Sequence, residues 1–377
     1  MKQHIWIYGK RLAAVLTGIA CLCAAAGCSK TNEINDSAAV PANAPVSDSS
    51  ADSGETPSDD STADSTAEAG GDTSIHVVAV GDNLVQQCVY QSAQAHSNDG
   101  TSYNFDYCYD NIKPLINGDL NIINQETLIC GDGFEVSGSN FNFNSPVELG
   151  DAVVGMGFNV ITMCNNHLLD KGESGLNGCL NYWDQKMQQY PDILACGFNG
   201  KTVAFLSYTE NTNGYSLPDN SELEIVYTSQ EDIIQQQIAA AKEIADVVVV
   251  TCHWGVEDTY NVTDGVKALA QKIIDWGGDV IIGTHPHVAQ TMEYLTRPDG
   301  TQGFVFYSLG NFISAQTDNM NLIGELADFN IVAKEDGSVT IEDVKVSPVI
   351  TQFDDGRESN LRLYPYSMYT DELAAQH

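Results

Sequence analysis

The chain has 377 residues and a formal net charge of −35, with 16 Lys and Arg against 51 Asp and Glu. Because the phosphates of nucleic acids are bound by clustered Lys and Arg, this balance excludes nucleic acid as a partner. An acidic surface also disfavours non-specific binding of other polyanions unless a metal ion supplies positive charge.

The first 27 residues have the pattern of a lipoprotein signal peptide. A positively charged start precedes an apolar run, residues 12–23, which is shorter than the about 20 residues of a membrane-spanning helix. Residues 25–28 read Ala-Ala-Gly-Cys, which is typical of a bacterial lipobox, so Cys28 is the predicted lipidation site. The alternative is ordinary cleavage after Ala26, which would release a soluble protein.

Residues 28–73 are predicted to form a disordered acidic linker. The segment consists of Ser, Ala, Thr, Asp, Glu and Pro with almost no large apolar side chains. Such a chain cannot bury enough apolar surface to offset the entropy of ordering, and its charges keep it extended. We expect it to tether a domain, residues 74–377, to the extracytoplasmic face of the cell membrane.

Within this domain, short apolar runs alternate with helix-like stretches. The runs are rich in Val and Ile without strict alternation, as expected for strands covered on both faces. The predicted strands are His76–Val80, Leu120–Asn124, Asn159–Met163, Thr202–Tyr208, Val247–Thr251, Val280–Gly283 and Phe304–Ser308. The predicted helices are Ser145–Met156, Glu173–Gln189, Gln230–Ala245 and Val266–Trp276.

Ser145-Pro146 and Thr228-Ser229 are the predicted N-terminal caps of two of these helices. After residue 328 the pattern changes, and a closing β-meander is predicted over Phe329–Ala333, Val339–Val346 and Val349–Phe353. The order of elements indicates an α/β domain with two packed sheets.

Five predicted strands end in side chains that can bind metal ions. The strand ends are Gly81-Asp82-Asn83, Asn124-Gln125-Glu126, Asn165-Asn166-His167, His253-Trp254-Gly255 and His285-Pro286-His287. Since ligands bind at the carboxyl edge of open α/β sheets, we expect these side chains to converge. Carboxylate and amide oxygens together with imidazoles suit a pair of Mn, Zn or Fe ions, which can clamp a phosphoryl group and activate water.

In combination these motifs resemble the CapA family, the poly-γ-glutamate capsule biosynthesis proteins related to calcineurin-like metallophosphoesterases. The resemblance covers about residues 75–316. Besides the strand ends, it rests on Phe143-x-Ser145-Pro146, Gly157-Phe158-Asn159-Val160, Leu168-Leu169-Asp170-Lys171-Gly172, Gly283-Thr284 with Val288, and Tyr307-Ser308-Leu309-Gly310-Asn311-Phe312.

The resemblance implies a four-layer α/β/β/α sandwich and a role in the synthesis or export of a capsule or envelope polymer. It implies His167 as the general acid or as the group that stabilises the phosphoryl oxygens, with Asp170 orienting it, and it implies Asn165 and Asn311 in a substrate cleft. The implied metal ligands are Asp82, Glu126, Asn166, His253, His285 and His287. The implied partners are subunits of a polymer synthesis or export complex and a phosphorylated or anionic polymer.

Two positions depart from the pattern of related phosphoesterases. Leu84 stands where they carry a His two residues after the first Asp, and Glu126 replaces a bridging Asp. One of the two metal sites is therefore expected to be built differently. Three functions remain open at this point: a metal-dependent phosphoesterase, a non-catalytic anchored subunit of a polymer complex, and a solute-binding lipoprotein.

Two further groups of residues are given structural interpretations. After Cys28 seven cysteines remain, and one or two disulfides of undetermined pairing are possible among them. The aromatic residues between 103 and 109 alternate, which is typical of a half-exposed strand or loop, and we expect them to pack rather than to bind substrate.

Overall fold

The structure is a computed structural model that describes residues 71–139, 141–189, 197–198, 200–353 and 360–376. The predicted signal peptide, Cys28, Cys196 and most of the predicted linker lie outside these ranges. Among the helices of the described ranges, none is both long and apolar enough to cross a membrane.

The strands follow the apolar runs of the sequence. They are β1 (Thr73–Asn83), β2 (Leu120–Asn124), β3 (Ser137–Ser139), β4 (Asn142–Asn144), β5 (Val160–Thr162), β6 (Gly197–Phe198), β7 (Lys201–Thr209), β8 (Val247–His253), β9 (Val280–Thr284), β10 (Met292–Thr296), β11 (Gln302–Phe306), β12 (Asn311–Ile313), β13 (Ile323–Ala333), β14 (Val339–Gln352) and β15 (Arg362–Pro365). The α-helices are α1 (Gln87–Ala95), α2 (Asp106–Tyr109), α3 (Glu148–Met156), α4 (Gly172–Gln189), α5 (Glu231–Lys242), α6 (Asp264–Asp275) and α7 (Asp371–Ala374).

Most strands belong to two mixed sheets. In the first the order is β15-β14-β13-β1-β2-β5, with β12 pairing with the end of β1. In the second the order is β10-β11-β9-β8-β7-β6. Strands β1, β2 and β5 are parallel, as are β7, β8, β9 and β11, so the carboxyl ends within each parallel set lie at one edge.

The two sheets pack face to face, and helices cover their outer faces. Alternate residues of β1 take opposite sides: Val77 and Ala79 join the core between the sheets, whereas Val78 and Val80 join the core shared with the helices of the first sheet. Helices α5 and α6 pack on the second sheet. The predicted α/β class and the four layers are both present, and this packing brings the carboxyl ends of β1, β2, β8 and β9 close together.

Several predicted boundaries were wrong. The segments 339–346 and 349–353 were predicted as two strands, but β14 runs continuously through Pro348, which pairs with Glu325. Pro is tolerated there because the β14–β15 pairing begins only at Val349, so at Pro348 the strand is an edge. Helix α1 was not predicted, and residues 106–109 form a helix rather than a strand or loop.

The two predicted caps were also wrong. Helix α3 begins at Glu148 with Val147 at its N-cap, and α5 begins after Gln230, in both cases without a side-chain cap. Helix α6 begins earlier than predicted because the Thr263 hydroxyl accepts a hydrogen bond from the Val266 N–H.

The described cysteines form no disulfide. Five of them are free thiols, all buried or partly buried: Cys108, Cys130, Cys164, Cys179 and Cys252. Burial raises the pKa of Cys164 to about 12, so this thiol is an unreactive part of the core.

Candidate metal centre

Strand β1 delivers the first carboxylate of the centre. Asp82 lies at a register shift near the end of β1, between β2 and β12. Gly81 is required beside it because a Cβ there would overlap the carbonyl oxygen of Gly310, the same oxygen that accepts the Asp82 N–H at 2.9 Å. This close approach aims a carboxylate with no exposed surface into the cleft between the two sheets.

Glu126, just beyond β2, is the most informative side chain of the centre. It is 1 % exposed, and neither of its carboxylate oxygens has a hydrogen-bond partner among the described residues. Burial raises the pKa of Glu126 well above its usual value, and the charge of Asp82 raises it further. A buried carboxylate without hydrogen-bond partners costs several kcal/mol, and a bound cation would reduce that cost.

Three atoms that could bind a metal ion lie close to the Nε2 atom of His253. Asn166 Oδ1 is 3.0 Å away, His285 Nδ1 is 3.1 Å away and Glu126 Oε1 is 3.5 Å away. The ligand atoms of a tetrahedral site with bonds of about 2.0–2.1 Å lie about 3.3 Å apart. These four side chains, which we call the first position, therefore have the spacing that one cation needs.

The second position lies beside the first and shares Glu126 with it. Asp82 Oδ2 is 3.3 Å from His287 Nδ1, and Glu126 Oε1 is 3.8 Å from His287 Nε2. Asp82, Glu126 and His253 also offer ligand atoms within 4.8 Å of one another, which joins the two positions into one centre. All six predicted metal ligands thus come together.

Glu257 was not predicted from the sequence. Its carboxylate and the imidazoles of His285 and His287 offer ligand atoms within 4.8 Å of one another, although Glu257 itself is exposed. The sequence signal was weak, since the residue lies in a loop two positions after the His253-Trp254-Gly255 string and not at a strand end.

The His-Pro-His turn has an unusual backbone. His285 has a φ of 99° and His287 a φ of 58°, values in the left-handed region that side chains other than Gly rarely adopt. Each such residue costs about 1–3 kcal/mol and persists only where its surroundings hold it. The His285 N–H donates to Asp82 Oδ2 at 3.0 Å, so the strained turn is attached directly to the carboxylate of β1.

A second set of side chains orients the ligands. Thr284 Oγ1 lies 2.9 Å from His253 Nδ1, so the opposite ring nitrogen of His253 faces the centre, and Asn311 Oδ1 holds the His287 ring from 3.0 Å at its Nδ1. The Asn124 amide donates to Asp82 Oδ1 at 2.7 Å. Asn311, predicted to lie in the cleft, is 1 % exposed and also donates to Asn321 and Gln316, so it supports the ligands from behind.

The predicted catalytic pair is formed by His167 and Asp170. His167 Nδ1 lies 2.9 Å from Asp170 Oδ2, which also accepts the Phe143 N–H at 2.8 Å. This contact fixes the tautomer and leaves His167 Nε2 as the atom that can hold or donate a proton. Asn165 is buried: it accepts the His167 N–H at 2.9 Å and donates to the Gln125 carbonyl, so it shapes this loop.

The histidines of the two positions differ in their protonation. Burial lowers the pKa of His253 well below its usual value, and burial together with His287 lowers the pKa of His285 to about 4. Burial alone would also lower the pKa of His287, but the carboxylates of Glu126 and Asp82 outweigh it and raise that pKa to about 10. At neutral pH the first position therefore presents neutral imidazoles, whereas the second holds a proton that a cation must displace.

Comparisons with known proteins give one matching family and several relatives. Residues 76–316 match the family described as bacterial capsule synthesis protein PGA_cap. The capsule biosynthesis protein CapA of Bacillus anthracis is 28 % identical over 232 residues, covering 57 % of this chain and 55 % of that protein. The PGA biosynthesis protein CapA of Bacillus subtilis is 34 % identical over 176 residues, covering 43 % of this chain and 44 % of that protein.

The chain thus spans about half the length of each of these relatives. Among solved structures, a hypothetical protein from Thermus thermophilus matches with a TM-score of 0.34 and 15 % identity. That match covers 72 % of this chain and 99 % of the other.

Proposed function

This chain belongs to the PGA_cap family of bacterial capsule synthesis proteins, and from that premise we propose that it is a metal-dependent, phosphoesterase-like protein of polymer synthesis or export. The match over residues 76–316 confirms the resemblance predicted from the strand-end motifs. The polymer would be poly-γ-glutamate or another anionic capsule or envelope polymer, in keeping with the printed names of the two Bacillus relatives.

The observation that carries the catalytic proposal is the pair of orphaned oxygens on Glu126. They lie where five further ligand-type side chains converge, so the donor set fits a divalent metal centre. Oxygen and imidazole ligands together suit Mn, Zn or Fe. Asp82, Glu126 and His287 would hold one ion, and Glu126, Asn166, His253 and His285 the other.

A bound metal pair supplies Lewis-acid stabilisation of a phosphoryl oxygen and lowers the pKa of water. The chain itself supplies the positions and the proton. Asp170 holds the His167 ring through Nδ1, so that Nε2 can donate a proton to the departing oxygen of a phosphoester. Thr284 and Asn311 hold the rings of His253 and His287, and the Phe143 ring packs edge-on against the His167 ring with 4.7 Å between the ring centres.

We also propose that the protein acts at the cell surface. Cleavage and lipidation at Cys28 would anchor it to the extracytoplasmic face of the membrane, and the acidic linker would hold the domain away from that surface. Metabolic labelling with a fatty acid tests this part: the wild-type chain should carry label, and Cys28→Ala should not. Label retained by Cys28→Ala would contradict the anchor.

The catalytic proposal is tested on the full-length protein, purified in detergent and stripped of metal with a chelator. Reloading with Mn, Zn or Fe should produce hydrolysis of a generic phosphoester such as p-nitrophenyl phosphate, and Asp82→Asn should abolish it. A protein that takes up metal but hydrolyses no phosphoester would contradict the catalytic role and leave the metal centre intact.

A second candidate is a non-catalytic anchored subunit of a polymer synthesis or export complex. It is favoured by Leu84, whose hydrocarbon side chain stands where related phosphoesterases carry a ligand. His167→Ala separates the two functions in cells. Loss of polymer export by a stable, correctly localised His167→Ala variant supports catalysis, whereas unchanged export supports the subunit role.

A further inference from the structure

The second position lacks the His that related phosphoesterases carry two residues after the first Asp, because Leu84 stands there. This side chain is 4 % exposed and offers only hydrocarbon, while its N–H donates to the Ile313 carbonyl at 3.1 Å. Asp82, His287 and the shared Glu126 would give an ion there three protein ligands.

The loop after β8 brings a carboxylate to that side. The Trp254 N–H donates to the Thr284 carbonyl at 3.1 Å, and the Asp258 N–H donates to the Pro286 carbonyl at 3.0 Å. Between these two attachments, the Gly255 N–H donates to Glu210 Oε2 at 2.6 Å. The loop is therefore fastened along the His-Pro-His turn, and Glu257 is held over the two imidazoles of that turn.

The Glu257 carboxylate is placed as a ligand and has no other role within the described part of the chain. It offers an oxygen within 4.8 Å of the ligand atoms of His285 and His287, and it makes no hydrogen bond or ion pair there. The orphaned, buried oxygens of Glu126 are an independent sign of a cation at the same place, because Glu126 Oε1 lies 3.8 Å from His287 Nε2.

We propose that Glu257 is the missing ligand of the second position, supplied by a loop in place of the His that Leu84 replaces. The inference rests on the proposed metal centre and adds one ligand to its second position. With Asp82, Glu126 and Glu257, the second position is rich in carboxylate, whereas the first has one carboxylate, one amide and two imidazoles. Carboxylate-rich sites suit Mn and imidazole-rich sites suit Zn, so the two positions prefer different ions.

The exposure of Glu257 also makes the two ions unequal. The ligands of the first position are all buried, whereas the second position faces solvent through Glu257. The second ion should exchange more readily and should be the one that meets an incoming anionic substrate. Three carboxylates still leave two divalent cations with a net positive charge, which an acidic protein needs in order to bind an anion.

The test is a titration of the full-length, metal-stripped protein with Mn²⁺. Calorimetry measures the binding of each ion, and electron paramagnetic resonance measures the coupling between the ions. The wild type should bind two ions, and coupling between them should appear in the resonance spectrum as the second ion enters. Glu257→Gln should lower the affinity of the second position for its ion by at least about 10-fold and should remove the coupled signal. The first position should bind its ion as in the wild type.

Asp258→Asn is the matched control. It removes the same charge one residue away, and its amide oxygen can still accept the hydrogen bond that Asn321 donates to Asp258 at 2.7 Å. It should bind both ions like the wild type. Equal loss in the two variants would assign the effect to charge alone and overturn the proposal.

The remaining outcomes also decide the question. If Glu257→Gln binds both ions with unchanged affinity, or if the wild type binds a single ion that Glu257→Gln leaves unchanged, Glu257 is not a ligand. If the wild type binds no ion, the metal centre itself fails. Melting temperatures equal to the wild type would show that the exposed substitutions leave the fold intact.

Discussion

The two cation positions share Glu126 but are built by different parts of the chain. The first is formed by buried side chains at the carboxyl ends of β2, β8 and β9 and by Asn166 after β5. The second depends on His287, in the strained turn that also contains His285, on Asp82 at an irregular strand end and, as we propose, on the exposed loop carboxylate of Glu257. Strand ends would therefore hold one ion rigidly, while the loop that carries Glu257 would complete the ligands of the other.

The largest expected effect comes from the residue that both positions share. Glu126→Gln should lower the affinity for both ions by at least about 100-fold. Substitutions of residues that only hydrogen-bond to metal ligands typically cost about 10- to 100-fold. The metal-free variant should melt close to the wild type, because Gln keeps the size of the side chain and Asp82 still faces the protonated His287.

Metal analysis and thermal melting check this prediction. Glu325→Gln, a partly buried carboxyl on β13 whose pKa burial also raises, is the matched control and should bind both ions. If Glu126→Gln lost only one ion, the positions would not share this carboxylate.

The second-largest effect is expected on catalysis, from a substitution that leaves metal bound at both positions. His167→Ala should lower kcat for a phosphoester by about 10²- to 10⁴-fold, because it removes the proton donor, while metal content stays unchanged. Asp170→Asn should cause a smaller loss, since it acts only through the orientation of His167. Full turnover by His167→Ala would show that the pair has no catalytic role.

Substitutions of the two side chains that orient His253 and His287 should lower the metal affinity of one position at a time. Thr284→Val removes the hydroxyl beside His253 Nδ1, and Asn311→Ala removes the amide beside His287 Nδ1. Each should weaken its own position by about 10- to 100-fold and spare the other. Two-site calorimetry measures this, and identical profiles for the two variants would contradict separate positions.

The smallest effect is a difference in pH dependence. The pKa of His287, about 10, lies above its unfolded value, so its proton stabilises the metal-free fold at low pH and is lost as pH rises through about 10. A cation competes with this proton, and the affinity of the second position should rise by up to about 10-fold per pH unit between pH 6 and 8.

The first position should respond less steeply over this range, since the pKa of His285 is only about 4 and that of His253 is also lowered. Calorimetry in buffers of different ionisation enthalpy would count the released protons. A first position that releases more protons than the second would contradict the assigned protonation states.

The sequence allowed the first position to be predicted more completely than the second. Buried runs of Val and Ile mark β1, β8 and β9 clearly, and polar side chains directly after such runs lie at one edge of a parallel sheet. Glu257 could not be found in this way, because its place depends on a hydrogen bond from Asp258 to Pro286, which is distant in sequence.

Two other features that the sequence did not predict also have tertiary causes. The left-handed backbone of His285 and His287 arises from tertiary contacts and not from a residue preference, since neither residue is Gly. The continuity of β14 through Pro348 depends on which neighbouring strand extends that far. The pattern of apolar residues predicts which side chains are buried and whether a segment is a helix or a strand. These two features depend instead on the neighbouring elements of the fold.

The central claim is that one buried carboxylate joins two cation positions. Anomalous scattering from crystals of the Mn- or Zn-loaded protein tests it most directly. We predict two peaks about 3.5–4 Å apart, both within bonding distance of Glu126. The absence of any peak beside Glu126 in crystals of metal-loaded protein would contradict the account.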